Sequence, residues 1–176
     1  GVETLTKFSL FVKEGEQANI DLTGYNTANP LTVMWTLRGS AAENPSSCSE
    51  GSGSAPAALE FIAAQEAVGR VTYNYYNPNC SMTATNGFSS SGNGGSQYLS
   101  SVAYLAPAGT TRLRLRPIYS DATIEVAGSG LTTQLYLIQS EAQGGDAKKE
   151  IEVTRGLDSP ASIFDFALFS GSTIVK

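Results

Sequence analysis

The chain has 176 residues, a net charge of −5 and no histidine, with 15% charged side chains against 41% hydrophobic ones. An acidic balance excludes a general nucleic-acid binder, which needs a basic footprint. Without histidine there is no Ser-His-Asp or Cys-His pair, no imidazole metal ligand and no near-neutral proton shuttle, so carboxylates alone would have to carry any catalysis.

Lys7 to Lys13 alternates apolar with polar positions and predicts a first strand. The turn Glu14-Gly15-Glu16 and the alternating run Gln17 to Thr23 then predict a hairpin. After a loop over 24–30, the segment Leu31 to Leu37 places Leu31, Val33, Trp35 and Leu37 on one face, with Thr32 and Thr36 on the other. The polar stretch 39–56 carries Cys48, and its length predicts a functional or mobile loop. Ala57 to Ala63 and Val68 to Tyr75 predict a second hairpin, although Ala, Leu and Glu in the first run also suit a short helix. A second loop, 77–97, holds Cys80 and a Gly-rich tract that lacks the Lys-Ser/Thr ending of a phosphate-binding loop.

Further strands are expected over 98–105, 110–117, 122–127, 132–140 and 147–155, separated by Gly-containing turns. Ile163 to Phe169 reads as a buried closing strand or a short helical turn. No internal repeat or linker divides the chain. Residues 1–176 therefore read as one domain: an all-β, mostly antiparallel β-sandwich of about ten strands, with long loops at one end.

Cys48 and Cys80 both lie in turn-like polar segments, outside any CxxC pair and with no histidine to complete a zinc site. Buried free thiols prefer apolar surroundings, so a Cys48–Cys80 disulfide is expected over two separate thiols. It would stabilise the fold by roughly 3–4 kcal/mol and belongs outside a reducing cytosol.

Arg112, Arg114 and Arg116 alternate with Leu113 and Leu115, which projects three guanidinium groups from one side of a strand. They read either as an anion or acidic-glycan site, or as a solvated face paired across strands with Glu125, Glu150 or Glu152. Tyr73, Tyr75 and Tyr76, with Tyr25, Tyr98, Tyr104, Tyr119 and Tyr136, read either as a sugar-stacking platform or, as alternate tyrosines on strands, as cross-strand packing. The acids are scattered and carry no local signature of a glycosidase pair or a calcium loop, so no catalytic residue, metal ligand or cofactor is assigned.

Lys149 to Arg155 followed by Ser159-Pro160 and Ile163 to Gly171 resembles the C-terminal signature of PilX-like, type IV pilin-associated proteins of candidate phyla radiation bacteria. The segment Thr110 to Asp121, the opening Phe8 to Gly15 and the Glu43-Asn44-Pro45…Cys48 loop fit the same pattern. The resemblance implies a β-rich ectodomain lacking its N-terminal anchor helix, displayed at the cell surface or outside the cell. Its expected partners are pilus or surface-assembly proteins, a host-cell surface or a glycan. Membrane contact would come only through the anchor. The expected role is structural or adhesive rather than enzymatic, with loops 39–56 and 77–97 meeting the partner; a carbohydrate-binding module using exposed tyrosines is the alternative.

Overall fold

The computed structural model describes residues 7–36, 56–80 and 86–131 in full, and 135–144 and 147–156 by their backbone. The described strands are β1 (Lys7–Val12), β2 (Ala18–Asp21), β3 (Leu31–Thr36), β4 (Ala58–Gln65), β5 (Arg70–Asn77), β6 (Ser89–Ser90), β7 (Gly92–Asn93), β8 (Ser100–Tyr104), β9 (Arg112–Ile118), β10 (Ala122–Ala127), β11 (Leu135–Gly144) and β12 (Ala147–Gly156). Ten of them build two five-stranded sheets, with orders β1-β10-β3-β8-β7 and β2-β9-β4-β5-β6, and β11 pairs with β12 as a separate ribbon. Within the two large sheets every pair is antiparallel except the two-residue β5–β6 contact. This is the all-β sandwich that the alternation predicts.

The period-2 pattern explains the core. Phe8, Val33, Trp35 and Ile124 from the first sheet meet Ile20, Phe61, Leu113 and Leu115 from the second in one apolar cluster. Trp35 is buried at its centre, and its indole N–H donates to the Ala57 carbonyl at 2.7 Å, which satisfies the only polar atom of the ring. Phe61 lies edge-on to Tyr76 and tilted against Tyr104, with centroid distances of 4.9 and 4.8 Å.

The second predicted hairpin forms: β4 pairs with β5 from Leu59↔Tyr76 to Gln65↔Arg70. Strand prevails over helix for β4 because both neighbours offer ladders and its inward positions belong to the sandwich core. The first predicted hairpin does not form. β1 pairs with β10 and β2 with β9, so the chain crosses from one sheet to the other between them. The crossing turn is held from outside the pair, by Gly15 N–H on the Pro117 carbonyl and Glu14 N–H on Asp121. Period 2 identifies each strand's buried face but says nothing of which sheet supplies its neighbour.

The registers also fix which loops share an end. β3 finishes and β4 begins at the same end as the β5–β6 and β9–β10 connections. Thr36, Ala58 and Asn77 therefore lie at the same end of the two sheets. Leu37, Cys48 and the segment 163–169 lie outside the described residues.

Candidate functional site

β4 is the central strand of the second sheet. Its residues Ala58, Glu60, Ile62 and Ala64 alternate with the inward set and so face away from the sandwich core, yet all four are buried. Two columns of larger side chains flank them. On β9, Arg116, Arg114 and Arg112 stand in register with Glu60, Ile62 and Ala64. On β5, Tyr75 and Tyr73 stand in register with Glu60 and Ile62. The five candidate contact residues read from the sequence thus meet on one sheet face, on two strands that never touch each other.

Glu60 is the chemical centre of this face. A carboxylate that is 1% exposed is costly to bury unless it is paired and hydrogen-bonded. Arg116 Nε lies 2.5 Å from Glu60 Oε2. The Tyr75 hydroxyl hydrogen-bonds the same carboxylate from the opposite strand. Burial pushes the Tyr75 phenol above its ordinary value, and the Glu60 hydrogen bond and charge push it further, against the opposing pull of Arg116. Arg112 reaches Glu66, just beyond the end of β4, at 3.2 Å in a more exposed pair. Arg114 is 5% exposed, and burial, then the neighbouring charge of Arg112, lowers its pKa.

Arg112 and Arg116 therefore do pair with glutamates, as the simpler reading of the sequence has it, but the partners differ and the centre of the face is buried rather than solvated. Glu125 sits on β10 in the other sheet, where it receives Lys7 at 3.9 Å and the Tyr98 hydroxyl at 3.2 Å. Glu150 and Glu152 belong to the β11–β12 ribbon, whose side chains are outside the description. Sequence reasoning missed Glu60. Its signal was there: one charge inside the apolar run Ala57 to Ala64, on the same parity as Ala58 and Ile62.

Toward the β9–β10 end the face becomes aromatic and neutral. Tyr75 and Phe88 stack with centroids 5.0 Å apart and an interplanar angle of 20°. Asn77 and Asn86 exchange amide hydrogen bonds, Asn77 Nδ2 donating to Asn86 Oδ1 at 3.0 Å and Asn86 Nδ2 to Asn77 Oδ1 at 2.8 Å. Asn86 Nδ2 also donates to the Tyr119 hydroxyl at 3.2 Å, and Asn86 Oδ1 accepts the Phe88 N–H at 3.0 Å. This amide pair clips the segment after residue 85 onto β5. The sequence offers Tyr119 only as one of several candidate stacking tyrosines and gives no role to Phe88, Asn77 or Asn86, because their meeting depends on the β5–β4–β9 order.

Cys80 is half-buried and carries a free thiol, so the expected Cys48–Cys80 disulfide finds no support in the structure. The neighbouring Asn79 N–H is held by Ser100 Oγ at 2.9 Å, so the first sheet, rather than a disulfide, anchors this segment where it is described. Among the described residues no group of three His, Cys, Asp or Glu side chains could hold a metal ion, and no helix is long and apolar enough to cross a membrane.

A carboxylate pair for glycoside cleavage needs two acids about 5–10 Å apart. Glu60 is committed to Arg116 and Tyr75, and Glu66, the other acid paired on this face, is six residues further along, roughly 20 Å at strand rise. What this face offers is a rigid, charge-paired platform with aromatic side chains at its margin. No family model, no curated protein and no solved structure matches this chain.

Proposed function

We propose that this chain is a non-enzymatic, extracellular domain of a pilin-like or pilus-associated surface protein, with a structural and adhesive role. It meets its partner, a surface-assembly protein or a host-cell surface, through the outer face of the β2-β9-β4-β5-β6 sheet. The observation that carries the reading is the convergence of Tyr73, Tyr75 and the Arg112–Arg116 row around buried Glu60. Cross-linked charges hold the arginines and Tyr75 in fixed positions, so little side-chain freedom remains to be lost on binding. The sparse charge of the chain and its resemblance to pilin-associated ectodomains support surface display.

The test is binding of the purified domain to surface filaments isolated from the producing cells. Tyr73→Ala combined with Tyr75→Ala is expected to weaken binding at least tenfold, whereas Phe11→Ala, on the outer face of the other sheet, leaves it unchanged. Equal binding by both variants refutes the reading. A second reading, a carbohydrate-binding module, is favoured by the Tyr75–Phe88 stack beside two amides.

A further inference from the structure

We infer that Tyr119, together with Phe88 and Tyr75, forms a seat for the ring of a neutral sugar at the β9–β10 end of this face. The inference rests on the reading of the face as a recognition surface and names the ligand class at one part of it.

Tyr119 is the residue that fold stability explains least. Its φ is 77°, and among the described residues it is the only non-glycine with positive φ. A bulky side chain in that region is a genuine outlier, and such outliers concentrate at binding sites. A residue kept there for packing would bury its ring, yet Tyr119 is 44% exposed. Glycine or asparagine would make the same turn without the strain.

Hydrogen-bond arithmetic shows what the site has left to give. Asn86 is saturated: its Nδ2 donates to Asn77 and Tyr119, and its Oδ1 accepts from Asn77 and Phe88. The Tyr119 hydroxyl accepts from Asn86, so its own hydrogen is available to an outside acceptor. Asn77 spends one of its two amide hydrogens on Asn86 and keeps the other. A stacked aromatic pair, an exposed phenol with a hydrogen to donate and a half-used amide suit the C–H face and hydroxyl rim of a sugar.

The same accounting argues against an anion. Arg116 and Arg112 face Glu60 and Glu66, and Arg114 is 5% exposed. Single-stranded nucleic acid, which also stacks on aromatic rings, needs a basic groove that a chain of net charge −5 does not favour.

The experiment titrates the whole domain with maltohexaose, cellohexaose, chitohexaose and mannohexaose, and with a polygalacturonate hexamer as the anionic comparison. Binding is read by saturation-transfer NMR and calorimetry. At least one neutral probe is expected to bind, with Tyr119 and Phe88 resonances shifting. Tyr119→Gly is expected to melt at or above the wild-type temperature while losing at least tenfold in affinity. The proposal is overturned if no neutral probe binds, if the polygalacturonate binds better, or if Tyr119→Gly keeps full affinity. A Tyr119→Gly protein that melts well below wild type also overturns it, since the ring would then be a structural prop. Failure with every sugar leaves the filament-binding result standing, so this proposal and the wider reading fail separately.

Discussion

Glu60 shows how one buried charge organises a surface. Its carboxylate is held by Arg116 from β9 and Tyr75 from β5, so both neighbouring strands are tied to the centre of β4 by side chains as well as by ladders. Removing one partner leaves the other charge uncompensated, at a cost of about 3–5 kcal/mol for a buried pair. Arg116→Ala, which strands the buried Glu60 carboxylate, is therefore expected to lower the unfolding free energy by about that amount in urea titration, and replacing Glu60 and Arg116 together with apolar residues should recover much of it. Tyr104 makes a second, pH-dependent contribution. Burial, with the nearby Tyr76 adding to it, raises its phenol pKa to about 12 from 10.0. A raised pKa in an acid means that folding favours the protonated form. The stabilisation, about 2–3 kcal/mol for a shift of this size, is fully present below pH 10 and lost as pH rises through about 12. Tyr104→Phe cannot titrate, so its stability measured by denaturant between pH 10 and 12 should fall less steeply than that of wild type.

At the scale of strands, β4 stands apart because it is the central strand of its sheet and is buried on both faces, and β9 pairs along its whole length beside it. Hydrogen exchange should be slowest at the amides of Phe61, Ile62 and Leu113, and fastest among the ladder amides at the two-residue strands β6 and β7. The turn after β7 has a separate constraint. A Cβ on Gly94 would lie 2.6 Å from the Tyr98 carbonyl oxygen and 2.7 Å from that of Ser100, both backbone atoms with little room to yield. Gly94→Ala is expected to destabilise the domain by about 1–3 kcal/mol through overpacking, read as a lowered melting temperature. These strands also mark what a sequence can disclose. Alternation located β3, β5, β9 and β10 to within two residues or so, because side chains of opposite character alternate along each. It could not reveal that β1 and β2 part company, since either pairing buries Phe8 and Ile20 equally well. The Arg row and the tyrosines were legible separately; that they share a face around Glu60 is a property of strand order, which local pattern does not encode.

Both five-stranded sheets turn one face to the shared core, and the second sheet turns its row of arginines and tyrosines the other way. Its candidate sugar seat lies at the end of the sheets where β3, β5 and β9 finish and β4 begins. With Cys80 present as a free thiol, rigidity at that end comes from the Asn77–Asn86 amide pair and the Asn79–Ser100 contact. Biolayer measurement of the domain on filaments purified from the producing cells, comparing the Tyr73→Ala/Tyr75→Ala variant with Phe11→Ala, separates the two outer faces in one experiment. At least tenfold weakening confined to the tyrosine variant is the predicted result; weakening confined to Phe11→Ala, or none with either, contradicts it.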